Sequence, residues 1–328
     1  MKNSILLSIV LLLASCQSNK KEGLQLSENE VVKIDSITHD VKKLMETHCY
    51  LCHSPSAQET EGRVAPPMIA IKSRYLMDYN TKKDFVKAMT NFVENPTNET
   101  SKMHAAVKNF GLMPKQSFPE NAVNQIADFM YDYQIEEPTW FAAHWQGHGN
   151  KNWKQPGKKA VVIEKQKTFE EVGLEYALAT KKLLGENLMG TIQKKATIEA
   201  LAFCNIQAMP LTDSMSTKYN ASIKRVSDKN RNPDNKANAE ELTYIQHFKK
   251  QLANNKEPQP IVLEKGNKVQ FYYPIPTNTM CLQCHGKPNE INPAVRAKTL
   301  KLYPQDLAVG YSENEVRGIW SITFDKKK

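Results

Sequence analysis

Apolar positions follow helical spacing through the first part of the chain and give way to strand-like runs later. Val41, Leu44 and Met45 form a stripe that leads directly into Cys49. A second helix is predicted from Thr81, with Asp84 three residues on as an incomplete capping box. Its Phe85, Ala88, Met89, Phe92 and Val93 recur at i, i+3, i+4, i+7 and i+8, and Pro96 ends it. A third opens at Pro119 and Glu120 and sets Val123, Ile126, Ala127, Met130 and Tyr133 on one stripe. No strand competes over residues 36–135, which predicts an all-α first domain.

Residues 136–160 read as an ordered linker, because Trp140, Trp145 and Trp153 alternate with Gly147, Gly149, Pro156 and Gly157. His144 and His148 are four apart and would share a face only in a helix; packing or exposed histidines beside glycines are the simpler reading. Beyond residue 160, Phe169, Val172, Leu174, Tyr176, Leu183 and Leu184 predict a long helical stretch, and a second runs from about Asn187 into Leu201. The runs Ile223 to Val226, Ile261 to Leu263, Val269 to Tyr273 and Val316 to Phe324 are β-rich. Gly266-Asn267 is a turn between two of them, and a helix over about Ala239 to Leu252 interrupts the series. Helices followed by a mainly antiparallel sheet predict an α+β domain over residues 161–328.

The chain begins with a short apolar run that has a different meaning. Lys2, the stretch Ile5 to Leu13, and small Ala14 and Ser15 read as an export signal over residues 1–15. This nine-residue run, apolar except for Ser8, is too short against the roughly 20 residues that span a bilayer. Leu13-Ala14-Ser15-Cys16 resembles the bacterial lipoprotein cleavage box, which implies acylated Cys16 as the first mature residue and anchoring in a lipid bilayer. Residues 16–35 then read as a polar, flexible tether. Gln17 is not the aspartate associated with inner-membrane retention, and by that resemblance an outer-membrane address in a Gram-negative envelope is expected.

Two strings carry the chemistry, Cys49-Tyr50-Leu51-Cys52-His53 and Cys281-Leu282-Gln283-Cys284-His285. C-x-x-C-H suits a c-type haem: two thiols one helical turn apart form thioethers to the porphyrin vinyls while the adjoining imidazole reaches iron. Two copies predict two covalently bound haems, and each haem would add apolar surface to a chain that is 40% hydrophobic. A redox dithiol or half a zinc site are the alternatives, but the motifs lie too far apart in sequence to assume one tetrahedral site. Four of six cysteines are thereby assigned to haem and Cys16 to lipid, which leaves Cys204.

Each iron wants a second axial ligand if it is only to pass electrons. For the first, Met68, Met103 and Met113 are available; Met113 lies in the stiff loop Phe110-Gly111-Leu112-Met113-Pro114-Lys115, and Met68 follows Pro66-Pro67. For the second, Met209, Met215 and Cys204 are available, and a buried apolar thiol is the plain reading of Cys204. The attachment motif after a first helix, the Gly-Leu-Met-Pro loop about sixty residues later and a terminal helix with Tyr133 resemble the monohaem class I cytochrome c family over residues 36–135. That resemblance implies His53 and Met113 as the axial pair, with Met68 packing near the haem edge.

A second resemblance covers about residues 168–324. Phe203-Cys204-Asn205, Ile223-Lys224-Arg225-Val226-Ser227, Arg231-Asn232-Pro233-Asp234-Asn235, Tyr273-Pro274-Ile275, Cys281 to Gly286, Gly310-Tyr311 and Arg317-Gly318 are similar to a bacterial c-haem domain of PAS-like fold. Its family is classed as a domain of unknown function and also occurs in front of histidine kinases. It implies His285 and Cys204 as axial ligands, with Arg225, Arg231 and Arg317 as candidate propionate partners, though each arginine could equally brace a turn.

The formal net charge of +9 falls to +8 without Lys2, and the lysines are scattered with no nucleic-acid motif among them. A moderately basic surface suits an acidic exported redox partner or lipid head groups. The expected function is therefore a membrane-anchored dihaem cytochrome that transfers single electrons, with a haem-based redox or gas sensor as the second reading. A dihaem peroxidase ranks last, because it needs an open iron position that two six-coordinate sites do not offer.

Overall fold

The computed structural model describes residues 28–60, 63–149, 153–160 and 166–326. The export signal, Cys16 and residues 17–27 of the expected tether lie outside the described residues. From Glu28 the chain is helical, so residues 28–35, expected in the tether, already belong to the first helix, α1 (Glu28–His48). Val41 and Met45 are buried on its inner face, as their spacing predicted.

The helices α2 (Met68–Asp78), α3 (Lys82–Glu94), α4 (His104–Phe110), α5 (Ala122–Asp132) and α6 (Phe141–Gly147) follow. The cap of α3 is as predicted: the Thr81 hydroxyl accepts from the Asp84 amide at 3.2 Å and donates to the Asp84 carboxylate at 2.7 Å. Helix α2 was hidden because its inner face carries polar residues. Met68, Ile69 and Tyr75 are buried there beside Lys72 and Ser73, so no clean apolar stripe is visible. Lys72 donates to the Tyr133 carbonyl at 2.6 Å and the Pro156 carbonyl at 2.9 Å, which pins the 153–160 segment to the helices.

That segment corrects the picture of a strap between domains. Trp140, Trp145 and Trp153 pack on the same cluster as Met45, Phe85, Ile126 and Met130, and Trp153 meets the buried Phe141 edge-on at 5.1 Å. The aromatic residues thus extend the first core rather than bridge away from it.

In the second half, α7 spans Phe169–Tyr219 and contains one break, at Ala196 (φ 70°, ψ 168°). The predicted division near Asn187 does not occur. At Gly185, within the helix, a Cβ would collide with the Leu51 side chain. The glycine's missing side chain lets α7 approach the first motif.

Strands β1 (Ala221–Val226), β2 (Ile261–Lys265), β3 (Lys268–Pro276) and β4 (Val316–Asp325) form one antiparallel sheet in the order β1-β4-β3-β2. Gly266, at φ 58°, and Asn267 turn β2 into β3, as predicted. Alternate residues face opposite sides. Val269, Phe271 and Ile322 pack toward α7, whereas Tyr272 and Ile319 pack toward α8 (Ala239–Ala253). The C-terminal half is α+β, as expected. Two short helices between β3 and β4, α9 (Thr279–His285) and α10 (Pro293–Leu302), rest against the second part of α7. No helix among the described residues is long and apolar enough to cross a membrane.

Candidate cofactor sites

The first motif continues the end of α1 as a tight turn. The Cys52 and His53 amides both donate to the Cys49 carbonyl, at 3.1 and 2.9 Å, so the two cysteines and the histidine stay on one coil. His53 Nδ1 lies 2.7 Å from the Pro66 carbonyl. A carbonyl only accepts, so Nδ1 carries the proton and Nε2 keeps its lone pair for a metal. Desolvation lowers the His53 pKa, and it raises both thiols, Cys49 to about 12. The donors are neutral until a cofactor claims them.

The Met113 loop follows α4 and turns at Gly111 (φ 82°); Met113 is half-buried. Gln193 ties this loop to the His53 surroundings by donating to the carbonyls of Phe110 (3.2 Å) and Val64 (3.0 Å). Met68 is buried in the core at the start of α2, with its amide 3.3 Å from the His53 carbonyl, so it packs beside the motif. Arg63 escaped the sequence reading. Its guanidinium lies over the rings of Phe110 and Trp140, and its Nε is buried without a hydrogen-bond partner among the described residues. A lone arginine in a loop gives no periodic signal that would have revealed it.

The second motif forms α9 itself. Asn278 caps the helix by accepting from the amides of Met280 and Cys281, and the Cys281 thiol also points at its Oδ1. His285 repeats the arrangement of His53, with Nδ1 2.7 Å from the Ala308 carbonyl. Desolvation, then the charges of Arg317 and Arg231, hold the His285 pKa well below the usual range. Desolvation also raises the Cys284 thiol to about 11.

The remaining candidates gather around this histidine. Arg231 grips Asp306 through two contacts, at 3.0 and 3.2 Å, and donates to the Cys284 carbonyl at 2.6 Å. Asp306 Oδ1 in turn accepts from the Ala308 amide at 2.9 Å. Arg231 therefore braces the segment that orients His285. Arg225 behaves differently: its Nε is buried without a hydrogen-bond partner, and desolvation, then Arg317, lower its pKa to about 10. Cys204, on the second part of α7, lies within electrostatic reach of Arg225, Arg231 and Arg317; desolvation raises its pKa while the arginines oppose the rise. The sequence candidates Cys204, Cys284, His285, Arg225, Arg231 and Arg317 thus converge from α7, β1, β4, α9 and the loop after β1.

This donor set fits a c-type haem at each motif. Paired thiols one turn apart, an adjoining imidazole with Nε2 free, and an arginine with an orphaned buried Nε are what thioethers, iron and a carboxylate would engage. Among the described residues, no group of three or more His, Cys, Asp or Glu stands ready to hold a metal ion. His144 Nδ1 lies 2.8 Å from a Glu59 carboxylate oxygen, in an exposed pair.

Both motifs are tied to helix α7. The Lys181 ammonium donates to the Thr47 carbonyl at 3.2 Å and Lys182 to the Ser56 hydroxyl at 2.7 Å, both beside the first motif. Further along α7, Thr197 donates to Gln283 of the second motif at 2.7 Å. Thr279, at the start of α9, donates to the Lys115 carbonyl at 2.6 Å, two residues beyond Met113.

A four-stranded antiparallel sheet between two helices, with a C-x-x-C-H helix inserted before its last strand, defines the α+β module of the second half. The chain belongs to the Tll0287-like family, whose model matches residues 158–324, just over half of its length. One solved structure, described as that of the cyanobacterial heme-protein Tll0287, is 20% identical and covers 49% of this chain and 99% of its own. Its TM-score of 0.37 is too low to carry a structural argument. No curated protein matches the chain.

Proposed function

We propose that this chain is a c-type cytochrome that carries two covalently attached haems and transfers single electrons. A bound haem supplies one-electron cycling between ferric and ferrous iron. The observation that carries the reading is the repeated histidine geometry: in both motifs Nδ1 is committed to a backbone carbonyl at 2.7 Å, which fixes the ring and leaves Nε2 to bind. Membership of the Tll0287-like family, whose model spans the second motif, supports the reading there. Helices α1 to α6, with the motif at the end of α1 and Met113 in a tethered loop, support a class I cytochrome c arrangement at the first.

In this reading His53 and Met113 are the axial pair of one iron, and His285 and Cys204 of the other. Arg225 receives a propionate, and Arg231 holds the His285 loop. Cys16 anchors the exported chain in the outer membrane, and an exported protein is its redox partner. The alkaline pyridine spectrum should report two c-type haems per chain, and reductive titration should consume two electrons per chain. A single haem, or a spectrum of non-covalent haem, would refute the proposal.

One observation favours a second reading, a haem-based sensor. Cys204 is a thiol whose charged form depends on three arginines against desolvation, and such a ligand could be released when iron is reduced or meets a small gas. Carbon monoxide difference spectra of the reduced wild type and Cys204→Ala discriminate. Unchanged six-coordinate spectra in both leave electron transfer alone standing.

A further inference from the structure

Helix α7 does more than cover the sheet. On either side of its break at Ala196 it presents Lys181, Lys182 and Gly185 to the first motif and Thr197 to the second. Independently of α7, Thr279 beside the second motif bonds Lys115 beside the Met113 loop. Three separate contacts therefore draw the two attachment segments onto one wall, although they are far apart in sequence. Half-buried Lys181 stands at that wall, fixed to the buried Thr47 in the last turn of α1.

We propose that Lys181 is a positioning residue shared by the two cofactor sites, a single cation in the seam between the attachment segments that sets the redox equilibrium of both together. Desolvation lowers the Lys181 pKa, and the sulfurs of Cys52, Cys281 and Cys49, drawn from both motifs, act in the opposite sense. Three of the four positions where thioethers would form, one of them in the second motif, are thus within electrostatic reach of one side chain. A cation in that place disfavours added positive charge, so it favours the reduced state at either site. Neither motif alone contains a lysine or arginine to do this. The inference rests on the two-haem reading and adds to it that the sites are coupled.

The test uses the full chain. Lys181→Met should shift the ferric-to-ferrous equilibrium of both sites toward ferric by about tenfold each, which is about 59 mV per one-electron site. Lys181→Gln keeps a donor for Thr47 but not the charge and should behave alike; Lys181→Arg should restore both equilibria. Lys194→Met, the same charge change on the exposed side of α7, should move neither. A shift at one site only, at neither, or an equal shift with Lys194→Met overturns the role. A second readout leaves Lys181 in place and compares the wild-type protein with variants that each lack one pair of motif cysteines. Sites sharing a wall interact magnetically, so its oxidised paramagnetic resonance spectrum should differ from the sum of Cys49→Ala/Cys52→Ala and Cys281→Ala/Cys284→Ala spectra; a plain sum overturns the seam. Intact mass separates the two failures: fewer than two haems sinks the functional reading, whereas two haems with unmoved equilibria sink only the role of Lys181.

Discussion

His285 Nδ1 lies 2.7 Å from the Ala308 carbonyl, and the chain keeps that carbonyl in place by an unusual amount of bracing. Asp306 accepts from the Ala308 amide and from Arg231, and Arg231 reaches back to the Cys284 carbonyl on α9. The loop that receives the imidazole and the helix that presents it are therefore closed into one ring of hydrogen bonds. In the first motif the same task falls to a stiff Pro66-Pro67 pair at the start of α2, where proline geometry replaces side-chain bracing.

Asp306 is almost fully buried, at 2% side-chain exposure, and Arg231 nearly so at 12%. Asp306→Ala leaves a poorly solvated guanidinium without its carboxylate, which typically costs about 3 kcal/mol. Thermal unfolding of the variant should occur several degrees lower, and the His285 ring, no longer fixed, should bind iron less firmly. An unchanged melting temperature would show that the ring of bonds is dispensable.

Lys72 has its pKa lowered to about 8 by desolvation, whereas a lysine of the unfolded chain titrates near 10.5. Between those values the unfolded state binds more protons than the folded one, so this group makes stability rise as pH increases from about 8 to about 10.5. Lys72→Met removes the titration. The stability difference, wild type minus variant, should grow across that window, as read by denaturant unfolding at each pH; a flat difference would exclude the linkage.

Ala196 holds a backbone conformation, φ 70° and ψ 168°, that suits glycine. Ala196→Gly should stabilise the chain by about 1 kcal/mol through relief of that strain. Gly185→Leu should do the opposite, because its side chain would enter the space of Leu51 at a cost of about 1 to 3 kcal/mol. Parallel melting curves test both; loss of stability in Ala196→Gly would contradict the strained break.

The strands were legible because each is a compact β-branched or aromatic run, and Gly266-Asn267 left little choice of register between β2 and β3. Helix α8 was legible for the same kind of reason, with Asn238 and Glu241 forming a full capping box before its apolar stripe. Helix α2 was not, since Lys72 and Ser73 occupy inner positions that a pattern reading assigns to solvent. The break in α7 was misplaced because it falls on Ala196, a residue type that ordinarily favours helix, and nothing in the apolar spacing marks it. The two C-x-x-C-H strings were readable as candidates from their spacing, and Cys204 and the three arginines from resemblance. Lys181 and Arg63 were not readable, because their significance lies entirely in neighbours distant in sequence.

The proposed axial sulfurs differ in charge, and this fixes an order. Neutral Met113 raises a haem potential, while a Cys204 thiolate stabilises ferric iron and lowers it. Redox titration should therefore reduce the first site before the second, and Met113→Ala should lower the first while leaving the second in place. For a gap of about 300 mV the equilibrium favours the first site by about five powers of ten. Potentials in the reverse order would contradict the assigned ligands.

The most direct measurement is the intact mass of the full chain after export in a host able to attach c-type haem. Denatured protein should carry two haems that survive the unfolding, with Cys49→Ala/Cys52→Ala and Cys281→Ala/Cys284→Ala each losing one. A polypeptide mass with no covalently bound haem would contradict the account.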